Sequence, residues 1–333
     1  MRVAVIGAGI AGLAAGALLS QAGLAPVIFE KGRGPGGRTS SKRTDHGSID
    51  LGAQYFTAQD SVFKDQVADW INAEVAAEWA ITPMVLPERQ PARAQRRFVS
   101  SPKMSSIARY LAKDLDVRTE VHVAEIVREL TGWVVRDRMG QPVGDFDYLL
   151  ITAPAPQAQS LLAEPSPALA AQAANVRMNP CWSLGLVLGS PTGAKFDAGF
   201  PSTGPLGWIA RSGSRPGREA VPEVWILHAT AQWSQTHIEA SPDSVTSALV
   251  DAFRALHPGP LEIADTIAHR WRFARAASPL AEPQGYLEGD SGLLCAGDWV
   301  TDGRVEGAWH SGRAAALRLI DLARGQLPPG EAE

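Results

Sequence analysis

The residues with the clearest chemical use stand near the start of the chain. Gly7, Gly9 and Gly12 fall at G-x-G-x-x-G spacing, with Ala11 inside the motif. Each glycine has its own job: Gly7 permits a tight turn, Gly9 lets a pyrophosphate approach the backbone, and Gly12 lets a helix lie close to a sheet. The helix N-terminus behind them then faces the phosphates with its free N–H groups. Glu30 stands eighteen positions beyond Gly12, where a carboxylate accepts ribose hydroxyls. Immediately after it runs KGRGPGGRTSSKR, Lys31 to Arg43. Paired Gly36 and Gly37 allow close backbone approach to a ligand, and Arg38 offers phosphate a planar fork of donors, with Lys31 and Arg33 as further cations. For Lys42 and Arg43 a solvated loop serves equally well. A βαβ unit that binds a nicotinamide dinucleotide has no need of this segment, so it points to a different dinucleotide.

Further on lie residues suited to a flat or anionic ligand. Trp208, Trp225, Trp233 and Trp271 are able to wall an aromatic ring, the alternative for each being plain core. In VWILHATAQWS, strand alternation sends Trp225 and Leu227 to one face, and Ile226 and His228 to the other. His228 reads either as a pocket residue or as a satisfied core histidine. Arg211, Arg215 and Arg218 share one loop, and Arg270, Arg272 and Arg275 follow later. Cations of this kind suit a substrate that carries its own pyrophosphate and repel an amine; the alternative is a solvated surface.

These residues need elements to hold them. Val3–Ile6 reads as a strand entering the glycine turn, Leu13–Gln21 as an alanine-rich helix stopped by Gly23, and PVIFE as a second strand. Residues 58–72 and 102–113 read as helices, and 130–153 as short strands with a turn at Met139-Gly140. Pro154, Pro156, Pro165 and Pro167 mark a crossing between domains. Ser241 and Pro242 open a helix that runs to about Leu256, as N-cap and N1. Residues 83–97, with Pro83, Pro87, Pro91 and four arginines, read as a mobile surface loop.

Composition sets bounds on the rest. A length of 333 residues suggests two domains, and 45% hydrophobic with 20% charged residues is ordinary for a globular chain with a sizeable core. A net charge of −4 gives no sign of nucleic acid or anionic membrane as a partner. Two cysteines, Cys181 and Cys295, are too few for a disulfide framework. No secretory pattern opens the chain and no apolar run nears the ~20 residues of a bilayer span, so a cytoplasmic location is expected. The tail LPPGEAE, 327–333, is expected to fray. No metal is expected.

The order glycine motif, Glu, then Gly-Gly-Arg resembles the two-domain flavoproteins related to amine oxidases and phytoene desaturases. LLCAGDW (293–299) and GRVEGAWHSG (303–312) resemble the C-terminal half of the same pattern. The resemblance implies non-covalent FAD, with Asp298 on the ribitol, Val123 holding adenine through its backbone, and Val305, Glu306 and Ala308 opening a helix toward the flavin. It also implies a fold: an α/β, Rossmann-type FAD-binding domain (glutathione reductase/amine oxidase-like) and a second α+β substrate domain on a mostly antiparallel sheet. The FAD domain would be discontinuous, using 1–62, 101–158 and 270–326, with the substrate domain at 63–100 and 159–269.

More restrictive blocks, SSKRTDHGSIDLGAQYFTAQD, GWIARSGSRPGR and WILHATAQWS among them, resemble the bacterial renalases over almost the whole chain. That implies an oxidase of misreduced 2- and 6-dihydro NAD(P), with O2 as acceptor and hydrogen peroxide as product. Such a substrate regains aromaticity on giving up hydride, so no acid or base catalyst is expected; position near flavin N5 is what matters. Gln54, Tyr55 and Thr57 are placed to orient the carboxamide, with Trp208, Arg211, Trp225, His228 and Trp271 in the substrate pocket. Two rival readings differ in class: a flavin amine oxidase, and an NAD(P)-binding flavoprotein sensor without turnover. Arg304, where amine oxidases usually place an aromatic residue, counts against the first.

Overall fold

The computed structural model describes residues 1–257 and 259–325; the tail 327–333 lies outside them. The chain divides into two units. The first takes Met1–Arg38, Ala108–Met178 and the chain from Arg275 onward; the second takes Thr39–Ile107 and Asn179–Ala274.

The first unit is built on a six-stranded sheet in the order Leu287–Glu288, Leu293–Cys295, Tyr148–Ile151, Arg2–Ile6, Ala25–Glu30, Asp116–Thr119. All neighbours run parallel except Leu287–Glu288. Val3, Ala4 and Val5 are fully buried, as a central parallel strand covered on both faces requires. Helices Ile10–Gln21 and Val305–Gly325 share one core, where Leu13, Ala15 and Leu19 meet Ala315, Ala316 and Leu319. They touch backbone to backbone: a Cβ on Gly312 would sit 2.0 Å from the Ala11 carbonyl oxygen. A small antiparallel sheet, Val123–Glu129, Gly132–Asp137 and Pro142–Phe146, belongs to the same unit, with the expected turn at Gly140.

In the second unit, Met178–Leu188, Glu223–Ala229, Leu206–Arg211 and Ala198–Pro201 run antiparallel in succession, and Met84–Leu86 joins in parallel. Helix Pro242–Leu256 lays Val245, Leu249, Val250 and Phe253 on the face that carries Leu184, Leu186, Trp225 and Leu227. Its start is as read from sequence: Ser241 Oγ accepts the Ser244 N–H at 3.2 Å. The two expected earlier helices are shorter, Ser61–Asn72 and Ser106–Ala112; Asp60 caps the first through the N–H groups of Val62 and Phe63.

The division into compact units places 39–62, 101–107 and 270–274 with the second unit and 159–178 with the first. Two expectations need correction. Pro154, Pro156 and Pro167 do not mark a crossing. They stand at the starts of Ala155–Leu162 and Pro167–Ala174, where a missing N–H is harmless. Residues 83–97 are not simply a surface loop, because Met84–Leu86 pairs with Gly199–Pro201 and Arg97 is only 3% exposed.

Candidate functional site

The glycine turn leaves the C-terminal end of the first strand, where open parallel sheets bind their ligands. Gly7 has φ +112°, and a Cβ there would meet Thr152 Oγ1 at 2.8 Å. A Cβ on Gly12 would lie 2.0 Å from the Gly7 carbonyl oxygen, so helix and turn touch here. A Cβ on Gly9 would meet nothing within 4 Å, which leaves room for a ligand over the helix N-terminus. Glu30 braces this loop, accepting the Ala8 N–H at 3.0 Å and the Gly32 N–H at 2.7 Å. Each carboxylate oxygen keeps a lone pair for a ribose hydroxyl. Gly36 N–H donates to the Ala8 carbonyl, and Gly37, at φ +52°, lies against Gly9. Lys31 and Arg33 are exposed beside it, and Val123 is buried at the start of its strand.

Arg38 and Asp298, 260 residues apart, form a bidentate ion pair with bonds of 2.8 and 2.5 Å. Burial works against the Arg38 charge, but the carboxylate overrides it and raises the pKa above the usual value. Sequence reading gave these two residues separate ligand groups; the structure makes them one polar element on the turn that precedes the last helix. That turn is tightly laced: Gly303 N–H donates to the Asp298 carbonyl, Gly297 N–H to Ser311 Oγ at 2.8 Å, and Ser311 to the Gly285 carbonyl at 2.5 Å. Val305, Glu306 and Ala308 open the last helix immediately beyond, with Glu306 buried. A glycine turn, a bracing carboxylate and a second helix N-terminus fit a dinucleotide with an extended polar chain, such as FAD.

The second unit holds a different cluster. Asp50 is buried and accepts from Ser41 Oγ at 2.5 Å, Met104 N–H at 3.0 Å and Arg218 at 2.8 Å. Gln54 spends both amide hydrogens on the carbonyls of Asp50 (2.6 Å) and Gly52 (2.9 Å), and its oxygen accepts from Arg215 Nη2. Gln54 therefore has no donor left for a carboxamide and acts as a brace for Arg215. Arg215 is 2% exposed and lies 5.0 Å from the Trp79 ring centroid, and its Nε and Nη1 have no hydrogen-bond acceptor. Burial lowers its pKa to about 10, with Asp50 opposing and Arg218 adding to the fall, so it stays cationic at neutral pH. Rings and cations continue outward: Trp79 to Trp208 at 6.3 Å, Trp208 to Tyr55 at 5.3 Å, and Tyr55 to the Arg97 guanidinium at 5.2 Å. Arg97 Nε and Trp208 Nε1 are likewise buried without an acceptor. A cavity of about 590 Å³ opens beside Trp79 and Arg97. Thr57 is partly buried two residues past Tyr55.

Two expected pocket residues lie elsewhere. Trp225 is fully buried against Phe253 and Phe196, and its indole N–H donates to Glu223 at 2.7 Å. Arg211 is tied to Asp197 and faces the same Glu223 at 3.8 Å. Burial opposes the charge on Glu223, but hydrogen bonds from Thr192 and Trp225 hold its pKa below the usual value. Both side chains serve a carboxylate network instead of an open site. His228 and Trp271 stay together: His228 Nε2 at 3.1 Å and Trp271 Nε1 at 2.9 Å both bond the Leu51 carbonyl. Arg97, Trp79 and Asp50 were missed. Arg97 sits among prolines and arginines that look solvated, and only pairing with distant strands reveals its burial.

Residues 5–70 match an NAD(P)-binding Rossmann-like domain, and residues 76–320 match the flavin-containing amine oxidoreductase family. A zeta-carotene-forming phytoene desaturase from Myxococcus xanthus is 47% identical over 51 residues, which is 15% of this chain and 10% of the desaturase. A crystal structure from Exiguobacterium sp. 255-15, assigned provisionally as a protoporphyrinogen oxidase, superposes with a TM-score of 0.74 at 14% identity. It covers 98% of this chain and 99% of its own. Among the described residues no helix is long and apolar enough to cross a membrane.

Proposed function

Given that the chain belongs to the flavin-containing amine oxidoreductases, we propose that it is an FAD-dependent oxidase of 2- and 6-dihydro NAD(P), of the renalase type. The overall reaction is dihydro-NAD(P) + H⁺ + O2 → NAD(P)⁺ + H2O2. One observation carries the choice of substrate. Arg97 and Arg215 are buried in the second unit and, among the described residues, neither is ion-paired; Asp50, whose charge reaches Arg215, is itself paired with Arg218. A buried cation without a counter-ion is costly and is best relieved by an anion. A dinucleotide supplies that anion in its pyrophosphate. An ammonium substrate would raise the cost.

The chain's residues have modest duties in this reading. Gly7, Gly9, Gly12 and Glu30 hold the adenosine and pyrophosphate side of a non-covalent FAD, and Asp298 with Arg38 meets its ribitol. Lys31, Arg33, Gly37 and the backbones of Ala11, Val123, Val305 and Ala308 complete the binding surface. When bound, the flavin accepts a hydride and returns the electrons to oxygen. Tyr55, Trp208 and Trp271 supply flat walls, and His228 stays neutral, its pKa pushed down to about 4 chiefly by burial. No side chain has to remove a proton, because the substrate ring gains aromaticity as it loses hydride. A cytoplasmic setting suits two free thiols, Cys181 half-buried and Cys295 buried, whose pKa values desolvation pushes up to about 12.

The test is anaerobic mixing of the FAD-loaded protein with 2-, 6- and 4-dihydro NAD and with simple amines. Rapid flavin bleaching by the 2- or 6-isomer, with NAD⁺ formed, is the expected result. Bleaching by amines alone would move the protein to the amine-oxidising branch of its family. No bleaching by any of them would leave a binding protein without turnover.

A further inference from the structure

One row of the second unit's sheet has more hydrogen-bonding capacity than the protein uses. In the register of its strands, Trp208 on Leu206–Arg211 faces His228 on Glu223–Ala229, and His228 faces Ser183 on Met178–Leu188. Residues directly opposite in an antiparallel pair share a face, so the three side chains form one row. Trp208 Nε1 is buried with no acceptor, and Ser183 Oγ is buried with no partner. Trp208 is 7% exposed and Ser183 is 0% exposed, whereas His228 keeps partial contact with solvent. Because Nε2 of His228 faces the Leu51 carbonyl, the proton sits on Nε2 and Nδ1 is left as an acceptor. An aromatic wall stands beside the row, with Tyr55 at 5.3 Å and Phe200 at 4.7 Å from Trp208 between ring centroids.

We propose that this row recognises a primary carboxamide borne on a flat ring. The indole N–H of Trp208 donates to the carbonyl oxygen, and Nδ1 of His228 accepts from the amide NH2. A donor and an acceptor on residues that stand opposite each other in one strand pair match the two halves of an amide. They do not match a carboxylate, whose lone pairs would face those of Nδ1, nor a ketone, which brings no N–H. Within the dihydro-NAD(P) reading on which this rests, the group is the substrate's own ring carboxamide. Gln54, Tyr55 and Thr57, the sequence-based choice for that task, include no free amide donor at Gln54.

The experiment measures binding to the FAD-loaded protein, by flavin difference spectrum or calorimetry. The probes are NAD⁺, its analogues with acetyl or carboxylate in place of the carboxamide, and free nicotinamide. The wild type should bind NAD⁺ about 10-fold or more tightly than either analogue, since a buried site built for a polar group rejects a ligand lacking it. Trp208→Phe keeps the ring but removes the N–H, and should weaken NAD⁺ and the acetyl analogue alike. His228→Leu should weaken NAD⁺ to the level of the acetyl analogue while leaving that analogue unchanged. If dihydro-NAD is oxidised but analogues and variants bind like NAD⁺ and wild type, the row has no such role and the oxidase reading stands. If no dinucleotide binds or reacts, yet nicotinamide binds with the same dependence on Trp208 and His228, the oxidase reading falls and the row stands. Failure of both probes overturns both. The analogue series on the wild type needs no variant to fold.

Discussion

At the scale of single residues, His228 ties recognition to stability. Burial lowers its pKa to about 4, the Leu51 carbonyl partly offsets the fall, and Arg215 adds to it. In the unfolded chain the ring takes a proton below about pH 6.5. Between that value and about 4 the unfolded state binds the proton and the folded state does not. The contribution to stability is therefore complete above pH 6.5 and declines as pH falls toward 4. Because the ring keeps some solvent contact, the loss should reach about 1–3 kcal/mol. Denaturant titrations at pH 4.5, 5.5 and 7.5 should show this slope in the wild type and a shallower one in His228→Leu. Parallel curves for the two proteins would mean that the imidazole titrates normally. Asp50 and Arg218 show a different use of charge, a pair 168 residues apart with side chains 1% and 4% exposed. They hold the loop that places Gln54, and through it Arg215, without facing a ligand themselves.

At the scale of elements, the first and last helices meet backbone to backbone. A Cβ on Gly312 would lie 2.0 Å from the Ala11 carbonyl oxygen and 2.7 Å from its carbon, both backbone atoms that cannot rotate away. Gly312→Ala should cost at least about 1–3 kcal/mol as overpacking and should lower FAD content, because the first helix carries the phosphate-facing N-terminus. Gly325→Ala, at a position with nothing within 4 Å, is the control and should stay within about 0.5 kcal/mol of wild type. Equal melting temperatures for the two variants would mean that the helices separate freely. Elements of this kind were legible where their signals are local. The glycine turn, the stop at Gly23, the turn at Gly140 and the Ser241-Pro242 cap depend on neighbours within a few residues. Met84–Leu86 was not legible, because its partner strand Gly199–Pro201 lies 115 residues on, and prolines on both sides look like a loop. The misread prolines at 154, 156 and 167 show a related ambiguity, since a residue that breaks a helix interior also starts one. Strand alternation around His228 was read correctly, yet the same pattern leaves open whether a tryptophan faces core or pocket. Glu223, which holds Trp225 in the core, decides that.

At the scale of the whole molecule, chemistry is divided between two units, each assembled from separated stretches of chain. Net charge is −4, so under the proposed function an anionic substrate would be held by a few desolvated donors such as Arg215, acting at contact distance, rather than by the charge of the whole protein. The division makes a clear prediction. Glu30→Gln replaces one carboxylate oxygen with an NH2 that faces a backbone N–H, which loosens the glycine turn; FAD affinity should fall about 10-fold or more. Arg215→Met removes a buried cation from the other unit. It should leave FAD content near wild type while raising KM for dihydro-NAD about 10-fold or more, the cost of losing a charged hydrogen bond. Glu30 and Arg215 share no hydrogen-bond partner, so the double variant should show the FAD loss of the first and the substrate loss of the second, each unchanged to within about 0.5 kcal/mol. Titrating each protein with FAD, and then measuring NAD⁺ affinity at saturating FAD, separates the terms. An Arg215→Met protein that loses FAD as readily as Glu30→Gln would mean that the buried cation serves the cofactor and not an anionic substrate.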